Sequence, residues 1–366
     1  MVKIRELTYS EKELLNALGK YPEMPLKELL IHTSYKRMSS LVRKVDQLKK
    51  RNIVRGPFYD VDHNKLCRNT LHRLFCILET TRSYKTIMSY LDIIEPLSWT
   101  YLVLSPHKRL LNVGFLSSDN AEMVNLFQLL KDNNIISDYV VRVHHHTKVV
   151  ENPNFFGDLN PSLDRLLDPC NVPDISSEDY DTEWNQCDIS VLPYLETGYK
   201  NGKLVEILRA ERKSNKTWKY NQIKYSHQKM VSKGLIKKIY TIYPFPRAQC
   251  VIFILFLKTG DIISTLRMLR NFAKGARVYK HYVLCEDEGA LSCISHPSFF
   301  TDLMYKLDQI DEITEKEVYP LRSLSKGSSP AIPSNLDYFD FDKQTLEYPY
   351  RMYEEKIKEK LESEPG

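Results

Sequence analysis

The chain lacks the features that mark several large classes of protein. Its apolar runs are all shorter than the roughly 18–20 residues that a membrane span requires. The start, Met1-Val2-Lys3-Ile4-Arg5, has no apolar leader, so we expect no export. Glycine is scarce, with 12 in 366 residues, and there is neither a Gly-x-Gly-x-x-Gly run nor a Walker-type loop. We therefore expect neither a membrane protein nor an enzyme built on a glycine-rich phosphate loop.

Cysteine is sparse, and its positions suggest no pairing. The seven cysteines are scattered along the chain, and none forms a Cys-x-x-Cys pair. This pattern is typical of free thiols in a reducing compartment, and we predict a cytoplasmic protein. The run His144-His145-His146 could supply metal ligands, but neighbouring side chains on a strand point to opposite faces. We predict no metal site and no cofactor, and we find no nucleophile triad.

The basic residues are concentrated in two segments. Residues 1–68 hold 15 Lys and Arg against 8 Asp and Glu, and residues 184–247 hold 13 against 4. Between them, residues 151–183 hold 1 basic residue against 9 acidic ones. A solvated helix face would account for one basic patch. Two patches at matching positions favour the binding of a polyanion.

Residues 1–68 have the pattern of a winged helix-turn-helix domain. A first helix is predicted at 8–22, a second from Pro25 and a third at 36–51. The apolar side of the third helix, with residues three or four apart, comprises Met38, Leu41, Val42, Val45 and Leu48. A short strand, a turn at Gly56-Pro57 and a returning strand then predict a small β-ribbon, the wing.

Residues 184–246 repeat this order. Two helices are predicted before Asn215, and the third runs from Asn215 or Thr217 to Lys233, where Gly234 is a natural stop. The run Leu235-Ile236 and the apolar residues after it predict the wing strands. Because the helices and the wing recur in the same order, we predict an internal duplication.

A βαββαβ pattern follows each of these segments, at 69–150 and at 247–323. The first copy has predicted strands at 71–79, 98–104, 110–116 and 138–143, and helices at 82–94 and 119–133. The second has predicted strands at 249–258, 278–285, 289–294 and 315–321, and helices at 261–273 and 297–310. This order builds an antiparallel sheet with two helices on one face, the ferredoxin-like arrangement. The predicted fold class is α+β, with two winged helix-turn-helix domains alternating with two ferredoxin-like domains.

Two segments lie outside these patterns. Residues 151–183 are acidic and are predicted to form a linker. Residues 324–366 are predicted to form an aromatic and charged tail, with a helix near its end. Its aromatic side chains suggest that the tail docks on the body of the protein or on a partner.

The third helix of a helix-turn-helix domain enters the major groove of DNA, where its side chains meet base edges. The predicted base-reading residues are Lys36, Arg37, Ser39, Ser40 and Arg43 in the first domain, and Lys216, Lys219, Asn221, Gln222 and Lys224 in the second. The predicted phosphate contacts are Lys44, Lys50, Arg51, Arg55, Lys229, Lys233 and Lys237. Trp218 could pack on a sugar or base, or it could equally close the core at the start of the helix.

The third helices resemble those of the Lrp/AsnC (feast/famine) family of prokaryotic transcription regulators. That family has two basic residues before a Val, then Leu, Gly, an apolar pair and Gly. The matching residues here are Arg43, Lys44, Val45, Leu48, Ile53, Val54 and Gly56, with Asn52 at the usual glycine. In the second copy Met230, Gly234, Leu235 and Ile236 match, and His227 stands where Val is usual. The resemblance covers roughly residues 8–145 and 187–321, and the arrangement resembles archaeal regulators.

The resemblance implies a transcription regulator that binds double-stranded DNA and is not an enzyme. It also implies ferredoxin-like domains of the RAM type that assemble into a homodimer, with a small-molecule effector in many members. The family's Gly-Asp stretch has no counterpart in the loops at 105–108 and 286–289, so no effector is identified.

Two alternatives remain open. Siroheme decarboxylases resemble the same two-part architecture, but their Tyr-Asn-Leu-Trp-Phe-like run has no counterpart in Trp99–Val103 or His281–Cys285. A non-catalytic adaptor could instead use the sheets and the aromatic tail to hold a protein partner.

Overall fold

The computed structural model describes residues 6–144, 148–171, 180–322 and 332–363. The helices are α1 (Tyr9–Lys20), α2 (Met38–Lys50), α3 (Tyr84–Leu91), α4 (Asn120–Asp132), α5 (Gln186–Glu196), α6 (Leu204–Lys213), α7 (Tyr220–Ser232), α8 (Ile262–Asn271), α9 (Pro297–Asp308) and α10 (Tyr350–Ser363). The strands are β1 (Val54–Val61), β2 (His72–Thr80), β3 (Leu97–Val103), β4 (Arg109–Ser117), β5 (Asp138–His144), β6 (Val149–Glu151), β7 (Ile236–Ile242), β8 (Val251–Thr259), β9 (Tyr279–Cys285), β10 (Glu288–Ser295), β11 (Ile313–Leu321), β12 (Phe339–Asp340) and β13 (Thr345–Leu346). The predicted α+β fold class is confirmed.

The elements form two compact units, each built from three separate segments. Among the described residues, the first unit comprises 6–60, 148–171 and 237–322, and the second comprises 61–144, 180–236 and 332–363. Each unit therefore contains one helix-turn-helix and one βαββαβ domain. The two domains that share a unit are not neighbours in the sequence.

The sheet of the second unit has the strand order β3-β4-β2-β5, with antiparallel neighbours. Alternate residues of β2 face the same side, and Leu74, Cys76 and Leu78 are fully buried there. α4 packs on this face through Phe127, whose ring centroid lies 5.5 Å from that of Phe115 on β4. The order βαββαβ predicted from the sequence is present here.

The sheet of the first unit has the strand order β11-β8-β10-β9-β6 and is also antiparallel. Phe253 and Leu255 of β8 face a core to which α8 and α9 contribute. Leu163 and Leu166 belong to the same core. Part of the segment predicted to be a linker, residues 151–171, is therefore integrated into this unit, and β6 extends its sheet.

The first helix-turn-helix has a shorter second helix than predicted. α1 and α2 pack together, but the segment predicted to begin a helix at Pro25 forms only a 3₁₀ turn at Glu28–His32. Leu29, Leu30 and Ile31 are adjacent, so they cannot share one side of a helix. Leu29 is buried, whereas Ile31 is 80% exposed.

The predicted wing of the first helix-turn-helix is not a local ribbon. β1 continues through Gly56-Pro57 and pairs with β7 in a two-stranded sheet. Gly56 has φ +104°, a backbone conformation that favours glycine. The strand continues beyond this residue to Val61 and does not turn back. The predicted turn was wrong because the pairing partner of β1 lies far along the chain. Tyr240 and Ile242 of β7 complete the core beneath α1 and α2.

A buried lysine caps the end of α8. The last carbonyls of a helix have no partner inside it. Nζ of Lys280, on β9, donates to the carbonyl oxygens of Leu269 (3.1 Å), Arg270 (2.7 Å) and Phe272 (2.6 Å) and lies 3.3 Å from Oε1 of Glu151. Burial lowers the pKa of Lys280, and the Glu151 carboxylate opposes that shift. The lysine thus ties β9 to α8 and to β6.

The C-terminal segment 332–363 packs within the second unit, and Gln344 is its main polar anchor. Gln344 is 4% exposed. Its Nε2 donates to the carbonyl oxygens of Trp184 (3.1 Å) and Phe341 (2.8 Å). Its Oε1 accepts from the backbone N–H of Trp184 (2.8 Å) and the hydroxyl of Tyr180 (3.1 Å). Both ends of the amide are therefore used to hold the tail to the residues before α5.

Replacing Gln344 tests this anchor. Gln344→Ala leaves the buried backbone groups of Trp184 without partners and should lower the free energy of unfolding by about 1–3 kcal/mol. Gln344→Glu keeps the shape but places a carboxylate against two carbonyl oxygens, so it should destabilise at least as much. Chemical denaturation measures both. Wild-type stability in either variant would contradict the anchoring role.

Candidate nucleic-acid interface

In the first unit, a buried carboxylate fixes the third helix, α2, against α1. Thr8 and Glu11 form a capping box: the Thr8 hydroxyl accepts from the Glu11 N–H (3.3 Å), and Glu11 Oε2 accepts from the Thr8 N–H (2.8 Å). Oε1 of Glu11 accepts from Lys44 (3.2 Å) and Arg51 (3.1 Å). The Glu11 side chain is 2% exposed, so these ion pairs are shielded from solvent on one side. They set the orientation of α2.

The ionisation of Glu11 follows from these contacts. Burial alone would raise the pKa of the carboxyl group. The Thr8 N–H, Lys44 and Arg51 act in the opposite direction, and the net pKa of Glu11 is lowered. The carboxylate therefore stays charged in the folded protein.

The outer side of α2 carries basic residues. Lys36, Arg37, Ser39, Arg43 and Lys50 are exposed, and Ser40 and Arg55 are partly buried. Within the described part of the chain, Lys36, Arg37, Arg43 and Lys50 form no ion pair. Lys44 and Arg51, which were predicted to contact phosphates, instead bind Glu11.

The apolar side of α2 is narrower than predicted. Leu41, Val45 and Leu48 are buried, but Met38 and Val42 are 36% and 37% exposed. The prediction for those two residues was wrong because the buried side of the helix is limited to the positions of Leu41, Val45 and Leu48. Met38 and Val42 lie at the edge of this buried side.

In the second unit, Asp188 takes the place that Glu11 has in the first. Oδ1 of Asn185 caps α5 by accepting from the N–H groups of Cys187 and Asp188, and Oδ2 of Asp188 accepts from the Asn185 N–H (3.0 Å). The same Oδ2 accepts from Lys229 of α7 (2.8 Å), and the Asp188 side chain is fully buried. Lys229 also lies 4.9 Å from the Trp184 ring centroid. Lys229, predicted to contact phosphate, thus holds α7 in place.

A second buried carboxylate fixes the turn that precedes α7. Glu211 of α6 is 4% exposed, and its Oε2 accepts from the indole N–H of Trp218 (2.8 Å). Burial, and next the neighbouring Glu211, raise the pKa of Tyr194 to about 12. Of the two roles considered for Trp218, the contact with Glu211 supports the structural one. One part of the indole still faces a surface hollow beside α7.

The outer side of α7 is polar and basic. Lys219, Asn221, Gln222, Lys224 and Lys233 are exposed, and Lys216 is partly buried. Lys237 is also exposed, but it lies on β7 and belongs to the first unit. Oε1 of Gln222 accepts from the Lys219 N–H (2.8 Å), and no hydrogen bond of its Nε2 is found among the described residues. Lys233 lies 3.6 Å from Asp181. Tyr225, 64% exposed, was not among the predicted residues, although its position four residues after Asn221 places it on the same side.

Other kinds of site find little support in the described ranges. They contain no group of three His, Cys, Asp or Glu side chains that could hold a metal ion. His145 and His146 of the histidine run lie outside the described residues. None of the described helices is both long and apolar enough to cross a membrane.

No protein-family model matches the chain, and no curated protein matches its sequence. Solved structures of the siroheme decarboxylase NirDL are similar to it along most of its length. One has 11% identity and a TM-score of 0.49, covering 96% of this chain and 97% of that one. A second, in co-complex with an iron-uroporphyrin III analogue, has 12% identity and a TM-score of 0.49, covering 96% and 98%.

Shorter structures are similar to part of the chain. The structure of LrpC from B. subtilis has 15% identity and a TM-score of 0.30, covering 38% of this chain and 94% of that one. An AsnC family transcriptional regulator from Agrobacterium tumefaciens has 13% identity and a TM-score of 0.31, covering 38% and 92%. The identities and scores are low, so these similarities assign neither an activity nor a ligand to the chain.

One prediction requires correction. From the sequence we expected that the chain is not an enzyme, but the structures similar to it over 96% of its length are those of an enzyme. The expectation depended on basic third helices and on a missing sequence run. Neither can exclude catalysis, because one fold supports many functions.

Glu11→Gln tests the ion pairs that hold α2. The variant keeps the shape but removes the charge that binds Lys44 and Arg51, and it should lose about 1–2 kcal/mol of stability near neutral pH. Because the pKa of Glu11 is lowered by folding, its contribution is full above the unfolded-state pKa, about 4.3, and is lost as the pH falls through the lower folded-state pKa.

The measurement is the melting temperature of both proteins across this pH range. The gap between wild type and Glu11→Gln should be constant above about pH 5 and should close below about pH 4. Glu28→Gln, at an exposed position, is the control and should melt like wild type at each pH. A gap that widens with acidification would refute the assignment.

Proposed function

We propose that the chain binds double-stranded DNA through the outer sides of α2 and α7. The observation that carries this proposal is the same in both units: the inner side of the third helix is fixed by a buried carboxylate, while its outer side presents cations. In the described residues, Arg43 and Lys224 have no carboxylate partner and are exposed. An isolated protein gains nothing from such clusters of like charge, whereas DNA phosphates would neutralise them.

The chemistry of the two helices suits the major groove. An α-helix fits this groove, and residues near its start meet base edges. Arg43 can donate two hydrogen bonds to guanine, and Asn221 can pair with adenine in the same bidentate way. Lys36, Lys50 and Lys219 are suited to phosphates, which position the protein without specifying sequence.

The residues that the structure ties into ion pairs have a different proposed role. Lys44, Arg51 and Lys229 hold the reading helices in place, so we propose that their effect on DNA affinity is indirect. The proposed contact surface is formed by the other predicted residues. These are Lys36, Arg37, Ser39, Ser40, Arg43, Lys50, Arg55, Lys216, Lys219, Asn221, Gln222, Lys224, Lys233 and Lys237.

We further propose that DNA binding serves transcriptional regulation and that the ferredoxin-like domains mediate self-association. The support is the domain order, helix-turn-helix with βαββαβ, which resembles that of the Lrp/AsnC regulators. The proposal includes the tandem arrangement as an internal duplication.

The first test selects bound duplexes from random DNA and measures binding to the selected site. Arg43→Ala and Lys224→Ala should each weaken binding by about five-fold or more, since a good base contact is worth about 1–3 kcal/mol. Lys85→Ala, an exposed lysine on α3, is the matched control and should bind like wild type. With about 6–10 phosphate contacts, affinity should fall by about 10³–10⁵ between 50 and 200 mM salt.

The same preparation separates the alternative functions. Absence of duplex binding at low salt would overturn the proposal. A new visible absorbance band on titration with iron uroporphyrin, without duplex binding, would instead favour tetrapyrrole chemistry. Capture of a protein partner with neither ligand bound would favour an adaptor.

A further inference from the structure

A hollow lies beside α7 in the second unit. It has a volume of about 460 Å³ and lies between α7 and the start of α5. Its apolar walls are the rings of Trp218 and Tyr225 and the thiol side of Cys187. Asn221 and Gln222, at the second and third positions of α7, form its polar edge.

The walls of this hollow are held in place. The Trp218 indole is fixed by its hydrogen bond to Glu211, 2.8 Å, and Cys187 is 5% exposed. Tyr225 is 64% exposed and supplies the outer wall. The hollow therefore has one fixed aromatic wall, Trp218, and one exposed aromatic wall, Tyr225, that a ligand can cover.

The surroundings of the hollow determine what could occupy it. Lys219, next to Trp218 in the sequence, and Lys224, next to Tyr225, are exposed and have no carboxylate partner among the residues that the structure describes. Cations beside an apolar surface complement a polyanion that carries an apolar group. In duplex DNA the major groove presents one such group, the 5-methyl of thymine.

We propose that α7 recognises an A·T base pair, with the thymine 5-methyl group seated in the hollow between Trp218 and Tyr225. This inference rests on the proposed function and adds the base that one helix reads. Asn221 is placed to make the bidentate contact with adenine. Gln222, whose Oε1 accepts from the Lys219 N–H, donates from its Nε2 to O4 of thymine.

The corresponding position on α2 differs in chemistry. When the two helices are aligned at their first residues, Met38 and Tyr220, Arg43 stands where Tyr225 stands, and Lys36 stands where Trp218 stands. The aromatic hollow therefore has no counterpart at these positions of α2. The two helices should prefer different bases, so we expect the two halves of the selected DNA site to differ in sequence.

The test uses the full chain and the selected duplex, with each thymine in turn replaced by deoxyuridine, which removes only the methyl group. The base positions read by α7 are those whose preference relaxes in Asn221→Ala. At one of them, deoxyuridine should weaken binding by about four-fold, the value of one buried methyl group. Tyr225→Ala should bind the thymine and deoxyuridine duplexes equally, while Tyr225→Phe, which keeps the ring, should retain the difference.

The outcomes separate this inference from the proposed function. Salt-sensitive duplex binding with no effect of deoxyuridine at the Asn221-dependent positions overturns the inference and leaves DNA binding standing. An equal loss on deoxyuridine substitution in Tyr225→Ala also overturns it, because the methyl group would then lie elsewhere. No duplex binding at all overturns both.

Discussion

The contact on which α2 and α7 both depend is a buried carboxylate at the third position of the first helix in each unit. Glu11 binds Lys44 and Arg51, and Asp188 binds Lys229. In each case the carboxylate also accepts a hydrogen bond from the backbone at the start of its own helix. A charge with so little exposure must be paired, because burying it alone is costly. The pairing therefore sets which side of the third helix faces inward.

This constraint also decides how much positive charge is available outside. The sequence shows two basic segments, and a simple count treats all their lysines and arginines alike. The structure divides them into two groups. Lys44, Arg51 and Lys229 form ion pairs with buried carboxylates, which neutralise their charge. The positive potential outside the protein therefore comes from residues such as Lys36, Arg43 and Lys224.

The sequence predicted the elements that depend on local pattern and missed those that depend on distant partners. Apolar runs in β2 and β8 predicted strands of the ferredoxin-like sheets, and five successive residues are buried in each of these strands. The pairing of β1 with β7 could not be predicted in the same way, because the turn signal at Gly56-Pro57 is local and the partner strand is not. For the candidate site, the exposed residues of α2 and α7 followed from helix periodicity, whereas the internal role of Lys229 required the position of Asp188.

Residues that follow β6 and β7 also link the helix-turn-helix of the first unit to its sheet. Phe155 lies in the core beneath α1 and α2, and its N–H donates to Asn16 (2.9 Å). Arg277, just before β9, packs on Phe155 and on Phe245, 5.2 and 4.4 Å from the ring centroids, and donates to the carbonyl of Pro244 (2.9 Å).

This arrangement forms a continuous packed path from the core under α2 to the sheet within one unit. Coupling between α2 and the sheet would need an element with two alternative arrangements, which continuous packing does not supply by itself. Burial lowers the pKa of the Arg277 guanidinium, yet Arg277 remains a cation between two rings. The contact of Arg277 with the two rings is therefore structural and does not depend on pH.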